Sequence, residues 1–65
     1  MTDAPNDGKY IVEFVRLGEY VKVTAVDPVS LREASVVMAV RGLTRSYMER
    51  TAIRKLESML SSSGG

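Results

Sequence analysis

The stretch YIVEFVRLGEYVKVTAV, residues 10–26, decides the fold. Apolar side chains alternate on both sides of Gly18-Glu19, and the many β-branched and aromatic residues favour strands over a helix. Gly18 can adopt the positive φ that a two-residue primed turn requires. The stretch therefore predicts a tight hairpin that joins a strand from Tyr10 to Leu17 with a strand from Tyr20 to Val26.

A third strand is predicted from Glu33 to Val40, after a turn at Asp27-Pro28-Val29-Ser30 in which proline interrupts regular pairing. Side chains on a strand point alternately to opposite faces, so one register makes the same face apolar in all three strands. The sheet is therefore expected to be an antiparallel meander in the order 1-2-3. In that register the facing pairs are Phe14 with Val23, Val12 with Ala25, Val23 with Val36, and Val21 with Met38.

The period of the apolar residues becomes helical from Leu43 onward. The apolar side chains that share one side of this helix are Met48, Ala52, Leu56 and Met59, flanked by Ile53 and Leu60. Thr44 is a good N-cap, while Ser46 with Glu49 offers a competing capping box two residues later. A helix from Arg45 to Leu60 that covers one face of the sheet gives a two-layer α+β fold of the order βββα.

The chain has 65 residues, which places it near the lower limit for a domain that folds alone. We expect one βββα domain at residues 9–60, a disordered tail at residues 1–8 and a flexible tail at residues 61–65. A core of this size supplies only about 3–5 kcal/mol of net stability unless a disulfide, a metal or a partner subunit assists it. Association with another subunit is the source of extra stability that we expect.

Cysteine and histidine are both absent. Their absence excludes disulfides and the usual zinc, haem and iron–sulfur ligand sets, so we expect no cofactor and no metal. No run approaches the roughly 20 apolar residues that span a bilayer, and the polar start of the chain lacks the pattern of a signal peptide. These features predict a cytoplasmic protein without a membrane partner.

The face of the sheet turned away from the helix is unusually rich in apolar residues. Contiguous exposed apolar patches above a few hundred Å² usually mark an interaction surface. We therefore predict that the protein forms a homodimer, or docks another protein, through this face or through an exposed edge strand. The alternative is an ordinary solvated face that the stems of Glu13 and Lys22 partly shield. The predicted interface residues are Ile11, Val15, Leu17, Tyr20, Val26, Val37 and Ala39.

Catalysis has little support in this sequence. Histidine, the most frequent general base, is absent, and no Ser-His-Asp or Cys-His set can form. The acidic side chains Glu13, Glu19, Asp27 and Glu33 fall at strand and turn positions that favour solvated surface charge. The glycines occur in no phosphate-binding frame. We expect a protein that is not an enzyme, with no catalytic, cofactor-binding or metal-binding residue.

Nucleic-acid binding is the main alternative function. Residues 1–40 carry four bases and six acids, whereas residues 41–65 carry five bases and two acids. Basic side chains that line the strand-to-helix junction and the helix flank can contact phosphates, although Glu49 and Glu57 lie among them within reach of ordinary helix pairing. The predicted nucleic-acid contacts in this alternative are Arg41, Arg45, Arg50, Arg54 and Lys55.

The order βββα, with its helix from Arg45 to Leu60, resembles the latter part of a double-stranded RNA-binding domain. The final helix of that family begins with a lysine cluster, and this resemblance implies RNA contacts at the start of the helix. Here Leu43-Thr44-Arg45-Ser46 holds that place, and the first helix of the family has no counterpart in Met1 to Lys9.

A second resemblance covers the chain from about Tyr10 to Leu60. The runs Glu13-Phe14-Val15-Arg16, Val21 to Pro28, and Ala52-Ile53-Arg54-Lys55-Leu56 resemble a family of short, uncharacterised bacterial proteins. Some members of that family carry a serine hydroxymethyltransferase label, which a chain with one small core gives no reason to credit. Such families usually have Thr-Gly in the second turn, where this chain has Ser30-Leu31. The resemblance implies the same topology and no known activity.

Overall fold

Three strands and one helix form the protein in a computed structural model, which describes residues 9–64 and the side chains of residues 9–62. The elements are β1 (Ile11–Leu17), β2 (Tyr20–Val26), β3 (Glu33–Ala39) and α1 (Arg45–Gly64). The predicted α+β fold of the order βββα is confirmed. The expected tail at residues 1–8 lies outside the described residues.

The sheet is an antiparallel meander in the order β1-β2-β3, so β2 is the central strand. All the predicted facing pairs are present: Val12 with Ala25, Phe14 with Val23, Val23 with Val36, and Val21 with Met38. Because a shift of one residue would exchange the two faces, this agreement confirms which side chains face α1.

The turn between β1 and β2 consists of Gly18 and Glu19. Gly18 has a φ of 67°, whereas Glu19 is not among the residues with positive φ. A two-residue turn with positive φ at its first position only is type II′, whose twist matches that of the flanking strands. The prediction that Gly18 supplies the positive φ of a primed turn is confirmed.

The loop between β2 and β3 is braced by Asp27. One carboxylate oxygen of Asp27 accepts a hydrogen bond from the backbone N–H of Val29 at 3.0 Å, and the other accepts one from the Ser30 hydroxyl at 3.1 Å. The backbone carbonyl oxygen of Asp27 accepts a hydrogen bond from the N–H of Leu31 at 2.7 Å. The backbone N–H of Asp27 donates one to the carbonyl oxygen of Arg32 at 2.9 Å. Leu31 is held at a φ of 64°, in the left-handed region that disfavours a residue with a Cβ.

The helix begins after Thr44, as one of the two predicted starts requires. Thr44 Oγ1 accepts a hydrogen bond from Tyr47 N at 3.1 Å, and Thr44 O accepts the first helical bond from Met48 N at 3.1 Å. Thr44 is therefore the N-cap, and Ser46 lies inside the helix. Within the described part of the chain, α1 is not apolar enough to cross a bilayer.

The expected end of the helix at Leu60 is wrong, because α1 continues to Gly64. Serine is neutral enough in a helix to continue it for another turn, and the first strong stop signal after Leu60 is the glycine pair at the end of the chain. Most of the stretch that was expected to be a flexible tail is therefore helical.

The core lies between the inner face of the sheet and α1. Leu56 and Val23 are its largest fully buried side chains. The helix lies over β2 and β3, so the inner side chains of the edge strand β1, Val12 and Phe14, remain half-buried. The buried apolar residues are Val21, Val23, Ala25, Ala34, Met48, Ala52 and Leu56.

We predict that Leu56→Ala unfolds most of the protein at room temperature. Leu56 is 0% exposed, and truncating such a leucine costs about 2–5 kcal/mol, which is comparable to the whole expected stability. Urea denaturation followed by circular dichroism measures the change. The matched control is Val29→Ala, because Val29 is 90% exposed and its truncation removes almost no burial. Equal effects of the two substitutions would contradict the described core.

We predict a different outcome for Leu31→Gly. Glycine relieves the left-handed strain at Leu31 by about 1 kcal/mol, which offsets the extra unfolded-state entropy that glycine brings. The free energy of unfolding should therefore change by less than about 0.5 kcal/mol, even though a whole side chain is lost. Val29→Gly, in the same loop but without positive φ, should lose about 1 kcal/mol. A loss as large at Leu31 as at Val29 would mean that the Leu31 conformation is not strained.

Candidate interaction surface

The sheet face turned away from α1 consists of four cross-strand rows. The register places in successive rows Leu17, Tyr20 and Ala39; Val15, Lys22 and Val37; Glu13, Thr24 and Ser35; and Ile11, Val26 and Glu33. All seven predicted interface residues therefore lie on this face, which no described element covers. Their role in an interface stays a prediction.

Most of these apolar side chains are about half exposed. The exposed fraction is 52% for Ile11, 49% for Val15, 49% for Leu17, 53% for Tyr20 and 61% for Val37. Val26 is half-buried and Ala39 is exposed. A contiguous exposed apolar surface of this kind is a candidate for contact with another molecule.

A polar row divides this apolar surface into two unequal parts. The hydroxyl groups of Thr24 and Ser35 lie 2.8 Å apart and form a hydrogen bond across β2 and β3. Thr24 is only 9% exposed, although it lies on the outer face. The sequence did not predict this row as a boundary. The larger part, which we call the turn-end patch, surrounds Lys22 and consists of Val15, Leu17, Tyr20, Val37 and Ala39.

One backbone group on the open edge of β3 is already occupied. The backbone N–H of Val40 donates to Glu19 O at 3.0 Å, on the side of β2. Alternate residues of an antiparallel strand bond to the same neighbour, so the even-numbered residues of β3 direct their backbone groups to β2. The residues at odd positions then direct their backbone groups to the open edge. Lys55 Nζ donates to one of these, the carbonyl oxygen of Ser35, at 2.8 Å. A charged side chain at an edge opposes pairing with another strand.

The seam between β1 and the helix is closed by polar contacts. The guanidinium carbon of Arg45 lies 4.4 Å from the centroid of the Phe14 ring, and the Tyr10 hydroxyl donates to Glu57 Oε2 at 3.2 Å. Glu49 lies on the same flank of α1 and is only 3% exposed. No buried side-chain oxygen or nitrogen lacks a hydrogen-bond partner within residues 9–62. The burial of Glu49 was not predicted, because its sequence neighbourhood resembles a solvated helix face.

The Tyr10 phenol has a shifted pKa. Partial burial raises this pKa above 10.0, and the hydrogen bond to the nearby Glu57 carboxylate raises it further, since both factors disfavour the phenolate. Tyr10 therefore stays protonated at neutral pH and can hold Glu57 across the seam.

The predicted nucleic-acid contacts do not form one surface. Lys55 is bonded to the β3 edge and Arg45 lies over Phe14, on the sheet side of the helix. Arg54 follows Arg45 by about two and a half helical turns and so lies on the opposite side of α1. Arg50 is exposed near the solvent side with Arg54, whereas Arg41 precedes the helix. Arg41 and Arg45 line two different clefts that share Arg16 and Val40.

Clustered acids are missing from the part of the chain that the structure describes. No group of three or more Asp or Glu side chains is placed there to hold a metal ion. The carboxylates of Glu13 and Glu33 lie on the outer face, where both side chains are exposed. Asp27 is engaged in bracing its loop.

An open antiparallel sheet with one covered face and one apolar uncovered face defines a small α+β domain of the βββα type. The chain belongs to a family described as Domain of unknown function (DUF6898), whose model matches residues 7–63. The predicted resemblance to an uncharacterised family is consistent with this match. No curated protein and no solved structure matches the chain. The resemblance to double-stranded RNA-binding domains and the serine hydroxymethyltransferase label are not supported by these comparisons.

Proposed function

We propose that this protein is a non-enzymatic interaction module that self-associates through the outer face of its sheet. The observation that supports the proposal is the turn-end patch, in which Val15, Leu17, Tyr20 and Val37 are each about half exposed on the face that α1 leaves open. Burying apolar surface of this kind contributes about 25 cal/mol per Å². A second copy can bury both turn-end patches at once, each against the outer face of the other copy.

The size of the face sets the strength of the expected association. Three strands about 4.8 Å apart, each of seven residues at about 3.3 Å, present roughly 350 Å² to a partner. Stable interfaces bury about 800 Å² on each partner. We therefore expect a weak dimer, with a dissociation constant in the micromolar range or above.

Charge on the face favours a second copy of this chain as the partner. Lys22 lies in the row next to that of Glu13, on the neighbouring strand. In a two-fold dimer each contact occurs twice: residue i of the first copy meets residue j of the second, and residue j of the first meets residue i of the second. Two faces packed about a two-fold axis between these rows place each Lys22 against the Glu13 of the other copy, so neither charge is buried without a partner.

The face is a better candidate than the edge of β3. Lys55 occupies the Ser35 carbonyl, so a second β3 strand would have to displace that hydrogen bond before it could pair. Packing through the face leaves the bond intact. We therefore assign the association to the turn-end patch.

We predict that Val37→Lys weakens the dimer at least tenfold. A lysine in the middle of the buried patch has no acidic partner and must be desolvated, which costs several kcal/mol. Sedimentation velocity between about 5 µM and 1 mM measures the dissociation constant. The matched control is Val29→Lys, which introduces the same charge on a residue that is 90% exposed and lies off the face. A wild-type protein that stays monomeric over the whole range, or equal effects of the two lysines, would refute the proposal.

We also predict a charge-exchange pair. Lys22→Glu and Glu13→Lys should each weaken self-association, because each substitution sets like charges against one another across the two-fold axis. An equimolar mixture of the two variants should associate again, since both cross-contacts then join Glu with Lys. Sedimentation at about 20 mM salt, where screening is weak, measures all three samples. A mixture that associates no better than the separate variants would rule out the Lys22–Glu13 contact but not association through Val37.

A further inference from the structure

Two adjoining clefts lie at the end of the molecule where β1 turns into β2 and where α1 begins. The larger has a volume of about 410 Å³ and is lined by Arg16, Glu19, Tyr20, Ala39, Val40 and Arg41. The smaller has a volume of about 260 Å³ and is lined by Phe14, Arg16, Val21, Val40, Arg45 and Met48. Arg16 and Val40 line both, so the two clefts adjoin, with Arg41 in the larger and Arg45 in the smaller. We call the pair the arginine cleft.

Two of the three guanidinium groups are positioned by uncharged partners. Arg16 Nε donates to the carbonyl oxygen of Gly18, which leaves the two terminal NH₂ groups of Arg16 for another acceptor. Arg45 is held over the face of the Phe14 ring at 4.4 Å. A cation–π contact uses the face of the guanidinium plane and leaves its in-plane N–H donors available. The protein thus orients both groups without neutralising them.

Arg41 supplies the third guanidinium, and both its exposure and the net charge of the clefts favour an anionic ligand. Arg41 has no hydrogen bond or ion pair with any residue between 9 and 62, and it is exposed. Among residues 9–62, Glu19 is the only acidic side chain that lines either cleft, against three arginines. Tyr20 also lines the larger cleft. The arginine cleft therefore carries net positive charge and a surplus of hydrogen-bond donors.

We propose that the arginine cleft binds a compact polyphosphate group, such as the diphosphate of a small phosphorylated compound. The planar fork of a guanidinium matches two phosphate oxygens, and three such forks suit a ligand with more than one phosphate. The larger cleft, of about 410 Å³, lies within the range of small-molecule sites, which is about 300–1,000 Å³. A nucleic-acid backbone shares this chemistry but needs a track of cations, and Arg50 and Arg54 lie on another side of the helix. The larger cleft shares Tyr20 and Ala39 with the turn-end patch, but none of the three arginines belongs to that patch, so this proposal does not rest on self-association.

Inorganic pyrophosphate is the probe for the first test, in a titration of the ¹⁵N-labelled full chain followed by NMR at low salt. We expect saturable shifts at Gly18, Arg41 and Gly42 and an affinity that falls as salt is added. Arg41→Gln and Arg45→Gln should each weaken binding about tenfold. Arg54→Gln removes the same charge far from the cleft and is the matched control, with an expected change below about twofold. Arg41 has no hydrogen bond or ion pair with another side chain among the described residues, so its variant should remain folded.

Three results would overturn the proposal. One is the absence of saturable shifts up to about 10 mM pyrophosphate at low salt. Another is a loss for Arg54→Gln as large as the loss for Arg41→Gln, which would show only diffuse attraction to net charge. The third comes from a parallel titration with a single-stranded RNA oligonucleotide. If RNA binds more tightly than pyrophosphate and depends equally on Arg50 and Arg54, the ligand is a nucleic-acid backbone rather than a compact polyphosphate.

Discussion

The burial of the inner side chains of β2 beneath α1 is the constraint on which the rest of the structure depends. Val23 and Ala25 are completely buried in one cluster with Ala52 and Leu56. Since β2 has a strand on each side and the helix on one face, its alternation sets the register of both neighbours. Once these side chains point inward, Tyr20, Lys22 and Val26 must point outward. The apolar outer face is thus a consequence of the same arrangement that forms the core.

A single helix cannot cover everything that three strands expose. It lies over β2 and β3, so the inner side chains of the edge strand β1 are only half-buried against the core, and the Arg45–Phe14 and Tyr10–Glu57 contacts close the rest of that side. No element of the described residues covers the outer face, which leaves the turn-end patch open for the proposed association. At the start of the helix the incomplete cover leaves the arginine cleft. Both proposed sites therefore lie where the single helix leaves part of the sheet uncovered.

Several features were predictable because they depend on neighbours in sequence. The type II′ turn needs only Gly18 at its first position, and the N-cap needs only Thr44 ahead of an amphipathic helix. The left-handed Leu31 was not predictable, because leucine has no preference for that conformation. It is held there by the bonds that Asp27 and Ser30 form around the loop. The continuation of α1 to Gly64 was missed because three serines resemble a tail in composition while still permitting a helix.

The sequence by itself determined the elements, the register and the seven outer-face residues, because strand and helix periods of two and 3.6 residues separate apolar from polar side chains locally. Only the tertiary structure decided that Glu49 is buried, that Lys55 occupies the β3 edge and that Arg16 lines one cleft with Arg41 and another with Arg45. Those outcomes depend on where the helix lies across the sheet. The position of the helix is set by packing between residues far apart in the chain. The spacing of apolar residues within one element does not predict it.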